Sequence, residues 1–337
     1  MAQRRLDSRP QGRDAPPATV KGWRPMFRSR LFRSRLAWLY LIGVALIWAA
    51  ADLIGERTLP TLLLAYTPAL VWLLPAPLVV LWTLARRRGL AVALAGTLLA
   101  AWSAGLLHWR PQTQGELRVL TFNVARGYQT TPQRLGALLA GSRADIILLQ
   151  EANFAEGGYD EALARALPGY RVLRAYETTT LTRLPVISSR KVNYPSDWRE
   201  VLVTRVRWRG QPLSVVNAHP GRLKFGNALA GDFTLLRPSL TQRAGQIETV
   251  LDVIGGESGL LLLGGDLNTP PRGLTYRALR RAAGPDAFEQ AGRGPGWTFP
   301  SLKTRIDHQL SRGLTATRAR VLDARESDHR PLLVEYR

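Results

Sequence analysis

The distribution of apolar residues divides the chain into two parts. The first part is dominated by three long apolar runs, at residues 36–54, 61–85 and 89–109. Each run is about as long as a helix must be to cross the ~30 Å hydrocarbon core of a bilayer. We therefore predict three transmembrane helices over residues 36–109. Residues 1–35 are polar, basic and Pro-containing without apolar periodicity, which predicts a disordered tail.

Basic residues flanking the apolar runs indicate an orientation. Ten Lys and Arg residues precede Leu36, and Arg86–Arg88 separate the second and third runs. Positive-inside placement puts both groups in the cytoplasm, so three crossings leave residues 110–337 outside it. The expected location is the cell membrane, plasma or inner, as a multi-pass protein. A cleaved signal peptide is the alternative for "IWAAADLIG", although two further apolar runs argue against simple secretion.

From Glu116 onward the pattern changes to short apolar strands that alternate with helices. The segments that predict strands are "LRVLTFNVA", "ADIILLQE", "YRVLRAYE", "LPVIS", "VLVTRVRW", "LSVVNAH", "GLLLLGGDLN", "RIDHQLS", "TRARVLDA" and "PLLVEYR". Those that predict helices are "PQRLGALLAGS", "EALARALPGY", residues 239–254 and "TYRALRRA". Many strands with few, separated helices predict an α/β fold of packed sheets with helices outside them.

The charge of the chain adds a class of partner. The formal net charge is +21; the part before Arg110 has 14 basic and 4 acidic residues, and the remainder has 32 and 21. Such a balance favours phosphate esters, nucleic acid or anionic membrane surfaces, without choosing among them. A generally Arg-rich proteome is the alternative explanation. The absence of Cys excludes disulfides, thiolate catalysis and Cys-ligated zinc.

Polar residues recur where buried strands end. They are Asn123, Glu151, His219, Asp266, Asn268, Asp307, His308, Asp328 and His329. Taken singly, each has an ordinary explanation as a turn, cap or strand residue. Together they indicate a metal or substrate site, because such groups do not gather at a core edge without a partner. For His308 the favoured reading is a strand residue that faces away from that site.

The residue types also suggest a reaction. Carboxylate and amide oxygens are hard ligands, which suits Mg²⁺ or Mn²⁺ rather than a closed zinc site. Two histidines with a further aspartate supply acid–base groups. An oxygen-ligated cation beside a His–Asp pair fits phosphoester hydrolysis, in which the metal neutralises phosphate charge while water attacks.

The motifs "TFNV", "DIILLQE", "NAHP", "GGDLNTPP", "RIDHQL" and "SDHRPLLVE" occur in this order along the chain. In this, residues 116–337 resemble the endonuclease/exonuclease/phosphatase superfamily, which includes deoxyribonucleases, abasic-site endonucleases, inositol polyphosphate 5-phosphatases and neutral sphingomyelinases. The resemblance implies a four-layer α/β/β/α sandwich of two mixed sheets, with the site at one sheet edge. The expected domains are therefore a tail (1–35), a three-helix transmembrane region (36–109) and a catalytic domain (110–337).

The resemblance implies a role for each matched position. Residues with implied catalytic roles are His329, Asp266, Asp307 and His219. Those implied to contact substrate are Asn268 and Asn123. Those implied to bind Mg²⁺ or Mn²⁺ are Glu151, Asp328 and Asn123.

Within this set the resemblance pairs His329, the catalytic imidazole, with Asp307 as the carboxylate that fixes its tautomer. Asp266 is implied to orient or deprotonate the attacking water. His219 is implied to protonate the leaving group or to contact phosphate. Its partner is open: Glu177, in the Thr-rich stretch "ETTTLTRLPVISS", is a candidate on a loose alignment, because that stretch departs from the Gly-containing apolar strand of many members.

The function expected from these features is a membrane-anchored, metal-dependent hydrolase of a phosphodiester in nucleic acid or a phospholipid head group. The alternatives are a phosphomonoesterase of the inositol-phosphate type and a non-catalytic phosphate-binding membrane receptor. Fold and motifs do not choose the substrate. The protein would contact the membrane through residues 36–109, and no protein partner is implied.

Overall fold

A computed structural model describes residues 34–195, 197–225 and 234–337. The predicted disordered tail falls almost wholly on residues 1–33 and so lies outside the described residues. The division of the chain at residue 110 stays a prediction, and the two parts it separates are in direct contact.

The N-terminal part forms a small bundle of apolar helices. Its helices are α1 (Arg35–Ala49, continued by Ala50–Ile54 and Gly55–Arg57), α2 (Leu59–Tyr66), α3 (Ala76–Ala85) and α4 (Leu90–Ser103). They pack through a core of mostly small side chains, among them Ala37, Ala93 and Ala100. Large apolar side chains cover the outside; Leu39, Leu74 and Leu78 are each more than two-thirds exposed. We call residues 34–109 the helical segment.

The prediction of three transmembrane helices is wrong for the described residues. Only Arg35–Arg57 is by itself long and apolar enough to cross a membrane. The second run is broken: Leu59–Tyr66 and Ala69–Ala85 meet at 84°, so they add a span only if the bent pair counts as one. Pro68 explains the break, since proline disfavours helical geometry in the residue before it and lacks an N–H.

The third run is shorter as a helix than as an apolar sequence. Helix α4 ends at Ser103, and Gly105 takes a left-handed conformation with φ of +75°. Its 14 residues span about 21 Å, less than a ~30 Å hydrocarbon core. The apolar sequence continues to Trp109, but the helix ends six residues earlier, at Ser103.

The remaining chain forms two mixed sheets, as predicted. The first has the order β10-β11-β1-β2-β4-β3, and the second has the order β5-β6-β7-β8-β9. The first-sheet strands are β1 (Leu117–Asn123), β2 (Ile146–Gln150), β3 (Arg171–Arg174), β4 (Thr179–Thr182), β10 (Ala316–Val321) and β11 (Leu332–Tyr336). The second-sheet strands are β5 (Val186–Asn193), β6 (Glu200–Trp208), β7 (Gln211–Asn217), β8 (Leu260–Asp266) and β9 (Asp307–Arg312). Each sheet holds one parallel pair, β1–β2 or β7–β8.

Helices cover the outer face of each sheet. The helices are α5 (Pro132–Ser142), α6 (Tyr159–Ala166), α7 (Leu236–Gly255), α8 (Gly273–Ala283) and the short α9 (Ala287–Ala291). One apolar cluster joins α5 and α6 to the first sheet, and another joins α7 and α8 to the second. A third lies between the sheets, where Val119 and Leu148 meet Val215 and Leu262. These contacts give the four-layer α/β/β/α sandwich.

The helical segment docks on the N-terminus of α8. Asp52 and Glu56 accept hydrogen bonds from the backbone N–H groups of Gly273 and Leu274, at 3.3 and 2.8 Å. Carboxylates at this position satisfy amides that have no partner within the helix and complement its dipole. The contact links the helical segment to α8, the helix that follows Asp266 and Asn268 in the chain.

Candidate active site

The predicted site residues converge because the parallel pairs of both sheets end at one edge of the sandwich. Asn123 ends β1, and Asp266 ends β8. Antiparallel β9 starts at the same edge, with Asp307 opposite Asp266. The approach of β8 to the chain after β7 requires glycine at position 265, where φ is +145° and a Cβ would lie 2.0 Å from the carbonyl oxygen of Ala218. The "GGD" sequence is thus a packing requirement that brings Asp266 close to His219.

Asp266 occupies the centre of the arrangement. Its Oδ2 accepts a hydrogen bond from Nδ2 of Asn123 at 3.0 Å and lies 3.6 Å from Nε2 of His219. Nε2 of His329 is 3.7 Å from the same oxygen. Oδ1 accepts from the backbone N–H of Asn268 at 2.9 Å, which fixes the carboxylate plane. Two imidazoles therefore face one buried carboxylate from different sides.

The first imidazole is held by β9. Nδ1 of His329 donates to Oδ2 of Asp307 at 2.9 Å, the pairing that the family resemblance implies. The loop before β11 is fixed by Ser327, whose hydroxyl donates to the carbonyl of Asn123 (2.8 Å) and accepts from the N–H of His329 (3.2 Å). The ring of Phe299 packs against the imidazole of His329, with 4.9 Å between the two ring centroids. Its tautomer therefore leaves Nε2 facing Asp266.

The second imidazole is held by the other sheet junction. Nδ1 of His219 donates to Oε1 of Glu177 at 2.7 Å. Glu177 is buried, and the guanidinium of Arg199 approaches it at 3.8 Å. Nε2 of His219 faces Asp266 and lies 4.0 Å from Glu151. The candidate partner of His219 named on a loose alignment is thus its hydrogen-bond partner.

Both histidines are electrostatically biased towards the charged form. Burial alone would lower the pKa of His329, but the neighbouring Asp307 and Asp266 carboxylates raise it to about 10. Burial also opposes charging of His219, and Glu177, Asp266 and Glu151 raise its pKa above the usual value. A divalent cation bound at Asp266 would act against both rises, since it adds positive charge to the same site.

Two residues of the site adopt strained backbone conformations. Glu151, directly after β2, has φ of +50°, and Asn268 has φ of +47°. Left-handed geometry is uncommon outside glycine, though Asn tolerates it better than Glu. At Glu151 the turn brings Oε1 within 3.2 Å of Nδ2 of Asn123. Such strain concentrates where side-chain placement matters for function.

The donor set fits a divalent cation. Ligand atoms of Asp266, Asp307 and His329 lie within 4.8 Å of one another. Oδ1 of Asp307 is buried and has no hydrogen-bond partner among the described residues. No Lys or Arg neutralises Asp266 or Asp307 at ion-pair distance in the described part of the chain. Two buried carboxylates with an unused oxygen are suited to an oxygen-binding cation such as Mg²⁺.

The structure brings together most of the predicted set. Asn123, Glu151 and Asp266 form one hydrogen-bonded group, and the two histidines border it. The side chain of Asn268 donates to the carbonyl of Pro220 at 3.0 Å, which ties the loops after β7 and β8 together. Asp328 is apart from the group: it is exposed, and its carboxylate accepts from the hydroxyl of Ser327 at 3.2 Å. Its role as a metal ligand stays a prediction.

Sequence reasoning assigned no role to three residues that shape the site. Ser327 was visible as the first residue of "SDHRP", but its bond to Asn123 spans 204 positions. Thr298 lies in no motif that the sequence revealed. Its hydroxyl accepts hydrogen bonds from the backbone N–H groups of Ile306 and Asp307, both at 3.1 Å, and so fixes the start of β9. Phe299 follows it in the same loop. His308 points away from Asp266, into a separate buried network with Asp286.

Comparison with known proteins agrees with this geometry. The model of the Endonuclease/Exonuclease/phosphatase family matches residues 120–329. This chain belongs to that family. The match runs from β1 to His329 and includes every candidate site residue named above. Members of the family are hydrolases that act on phosphoester bonds and generally depend on a divalent metal.

Individual relatives span the same region. The chain is 30% identical over 232 residues to the UPF0294 protein YE0917 of Yersinia enterocolitica, which covers 65% of this chain and 83% of that protein. D. rerio TDP2 complexed with single strand DNA product has a TM-score of 0.50 at 20% identity, covering 66% of this chain and 98% of that chain. The mannosyl-6-phosphatase Bt3783 of Bacteroides thetaiotaomicron has a TM-score of 0.51 at 16% identity, covering 66% and 100%. At these identities the two structures establish the fold.

Proposed function

We propose that this family member is a membrane-anchored, Mg²⁺-dependent phosphodiesterase. The observation that carries the proposal is the arrangement around Asp266, where two imidazoles, each held at Nδ1 by its own buried carboxylate, present Nε2 to one oxygen. A phosphodiester needs an activated water on one side and a stabilised leaving oxygen on the other. In this geometry Asp266 is available to activate the water, and one of the flanking histidines is available to stabilise the leaving oxygen.

The residues have distinct roles in this proposal. Asp266, fixed by Asn268 and Asn123, orients the attacking water and accepts its proton. His329, held by Asp307, stabilises charge on the phosphoryl oxygens. His219, held by Glu177, protonates the leaving oxygen, which its raised pKa favours. The side-chain amide of Asn268, which also donates to the carbonyl of Pro220 at 3.0 Å, contacts the phosphate.

A bound Mg²⁺ or Mn²⁺ would neutralise phosphate charge in this site. The side chains that fit it are Asp266 and Asp307, with Glu151 and Asn123 as further oxygen donors at the same edge. Oδ1 of Asp307, which has no hydrogen-bond partner in the part of the chain that the structure describes, favours such an ion. Asp328 is exposed and would interact with such an ion only from outside the buried group of oxygen donors.

Membrane attachment is supported by the exposed apolar surface of the helical segment. The 23-residue helix Arg35–Arg57 is mostly exposed, with only 17% of its most apolar stretch buried, and it is about 34 Å long. The turn of Arg86–Arg88 lies beside the start of this helix, since a Cβ on Gly89 would be 2.6 Å from Cβ of Ser34. Asp52 and Glu56, near its other end, contact α8.

This polarity supports an orientation. Basic residues favour the cytoplasmic face, and the catalytic sandwich contacts the opposite end of the helix. We therefore propose that the protein lies in the cell membrane with its active site on the extracytoplasmic side. An alkaline phosphatase fusion after residue 110 should be active in intact cells. An inactive fusion, with a cytoplasmic reporter active at the same position, would reverse the orientation.

Two substrates fit the site chemistry, nucleic acid and a phospholipid head group. The TDP2 structure contains a single strand DNA product, whereas the apolar helical segment favours a lipid. A phosphomonoesterase is the second candidate function, since Bt3783 is named a mannosyl-6-phosphatase. A non-catalytic receptor is disfavoured because both histidines keep their carboxylate partners.

The test uses the full chain purified in detergent. With Mg²⁺ it should hydrolyse bis-p-nitrophenyl phosphate, and His329→Ala should abolish the activity without lowering the melting temperature appreciably. A panel of DNA, phospholipids, inositol phosphates and sugar phosphates then assigns the substrate class. The absence of activity on every phosphoester with Mg²⁺ and with Mn²⁺ would contradict the enzyme proposal.

A further inference from the structure

A second site lies where the helical segment meets the catalytic sandwich. A cavity of about 580 Å³ is bounded on one side by Trp48, Leu70 and Trp102 and on the other by Arg272, Lys303 and Arg305. None of the residues assigned to the active site lines it. One wall is therefore aromatic and apolar, and we call the other the cationic wall. Two carboxylates also line the cavity, but each pairs with an arginine: Asp52 with Arg277 at 3.6 Å and Glu289 with Arg280 at 2.9 Å.

Arg272 is an unusual member of the cationic wall. Its Nε and one Nη donate to the carbonyls of Ala65 and Thr67, both at 2.8 Å, and no carboxylate of the described residues lies at ion-pair distance. Burial lowers the pKa of Arg272 to about 10, with only the Asp52 charge acting against it. A guanidinium this poorly solvated usually pairs with an anion. Here two carbonyl dipoles and the more distant charge of Asp52 offset its charge.

Two further cations of the cavity also have no carboxylate partner in the described ranges. Nζ of Lys303 is exposed and lies 5.9 Å above the ring of Trp297. Arg110 donates to the carbonyl of Glu289 at 3.1 Å. Arg305 differs, because its side chain is buried and pairs with Asp286 at 2.6 Å. The positive charge available to a ligand therefore belongs to Arg272, Lys303 and Arg110.

The apolar wall continues out of the cavity along α4. Leu94, Leu98 and Trp102 are 44%, 57% and 54% exposed. Their spacing of four residues places them on one face of the helix. The stripe ends at the cavity, where the rings of Trp102 and Trp48 lie 5.7 Å apart. A ligand that covers this stripe must have an apolar part of several carbon atoms next to its charged group.

We propose that this cavity binds a phospholipid, whose head-group phosphate contacts Arg272, Lys303 and Arg110 and whose acyl chain lies along the α4 stripe. The inference rests on the membrane attachment proposed above. Free phosphate would leave the apolar stripe uncovered, and so would nucleic acid. The lipid would lie close to the active site, because Arg272 follows Asn268 by four residues and Trp297 precedes Thr298, which hydrogen-bonds the backbone of Asp307.

The test uses the full chain in nanodiscs made of phosphatidylcholine alone or of equal parts phosphatidylcholine and phosphatidylglycerol. After extraction into detergent, native mass spectrometry should show phosphatidylglycerol retained in preference to phosphatidylcholine. Lys303→Gln and Arg272→Gln should each weaken its retention about fivefold, the effect of one basic residue near an anionic lipid surface. Arg134→Gln on α5, exposed and without a carboxylate partner in the described chain, is the matched control and should change nothing.

Arg272→Gln also removes two contacts that dock α2, so Lys303→Gln and Trp102→Ala are the decisive variants. Unchanged lipid retention in both would overturn the proposal. Displacement of the lipid by millimolar inorganic phosphate would overturn it too, since it would indicate a free-phosphate site. Lipid retained by the inactive Asp307→Asn variant would support it and would separate this site from catalysis. Hydrolysis of bis-p-nitrophenyl phosphate without any retained lipid would contradict only the lipid site.

Discussion

Strand β9 begins with two neighbouring residues that belong to two different Asp–His pairs. On one face of the sheet, Asp307 accepts from Nδ1 of His329 at 2.9 Å. On the other face, Nδ1 of His308 lies 2.9 Å from Oδ2 of Asp286. The pairs share residue types, distance and burial. Their surroundings differ, and that difference separates a candidate active site from a structural network.

The pair with His308 is balanced within the protein. Asp286 accepts from Arg305 at 2.6 Å and from the hydroxyl of Tyr276 at 2.8 Å, and Nε2 of His308 donates to the carbonyl of Thr269 at 2.8 Å. Within the described residues, the pair with His329 has no such compensation. Asp307 keeps a buried oxygen that has no hydrogen-bond partner among them, and the carboxylate of Asp266 lies close to the same pair. A buried pair left with excess negative charge needs a ligand, whereas a neutralised pair needs none.

The largest expected effect is loss of activity on replacing the unbalanced carboxylate. Asp307→Asn keeps the shape of the side chain but removes the charge that orients His329 and favours a cation. We expect kcat/KM on bis-p-nitrophenyl phosphate to fall about 10³-fold, while the urea midpoint is little changed. Activity within tenfold of the unmodified chain would show that the two pairs are not functionally different.

The balanced pair should instead control stability. Asp286→Asn leaves Arg305 as an uncompensated buried charge, which should cost about 3 kcal/mol of unfolding free energy. Activity per folded molecule should be retained, because Asp286 does not contact the Asp266 group. Urea denaturation followed by tryptophan fluorescence measures the first quantity. A loss below about 1 kcal/mol would mean that Arg305 finds another partner or leaves the core.

The same pair should make stability depend on pH. Burial alone would raise the pKa of Asp286, but Arg305 and His308 hold it well below its usual range. A carboxylate with a lowered folded-state pKa contributes stability above its unfolded value, about 3.9, and loses that contribution as the pH falls. The stability difference between Asp286→Asn and the unmodified chain should therefore shrink from pH 6 towards pH 3. A constant difference would contradict this sign.

The sequence predicted one of these pairs better than the other. The apolar pattern placed Asp307 and His329 at the boundaries of buried strands, and their pairing was implied by the family resemblance of "RIDHQL" and "SDHRPLLVE". His308 was expected to face away, but nothing in the local pattern indicates Asp286 or Arg305. Their network depends on the packing of α9 and β9, which is not encoded in either segment alone.

The prediction for the helical segment failed for a different reason. Its composition indicated apolar helices correctly, but helix length is decided by single residues such as Pro68 and Gly105. Hydropathy averages over those positions and therefore overestimates spans. Strand β4 was missed for a related reason. Its Thr-rich sequence does not alternate, yet Thr179 and Thr180 are buried between β2 and β3.

A smaller effect is expected for the second histidine–carboxylate pair, His219 with Glu177. Glu177→Gln keeps an oxygen that can accept a hydrogen bond from Nδ1 of His219, but it removes the negative charge that raises the pKa of His219. We expect kcat/KM to fall about tenfold, at the low end for a proton-transfer group, because Asp266 still faces the same imidazole. Asp160→Asn, an exposed carboxylate on α6, is the control. A loss of kcat/KM as large as that of Asp307→Asn would show that the two histidine–carboxylate pairs contribute equally.

The smallest effect is expected at Asp328, which stands next to His329 in sequence but outside the Asp266 group. Its carboxylate is exposed, so solvent screens its charge, and its influence on His329 is weaker than that of Asp307 or Asp266. Asp328→Asn should lower kcat/KM only about threefold and leave the Mg²⁺ concentration for half-maximal activity nearly unchanged. A Mg²⁺ requirement raised tenfold or more would instead make Asp328 a metal ligand. In that case the unbalanced charge around His329 would extend beyond the buried pair to the loop that carries it.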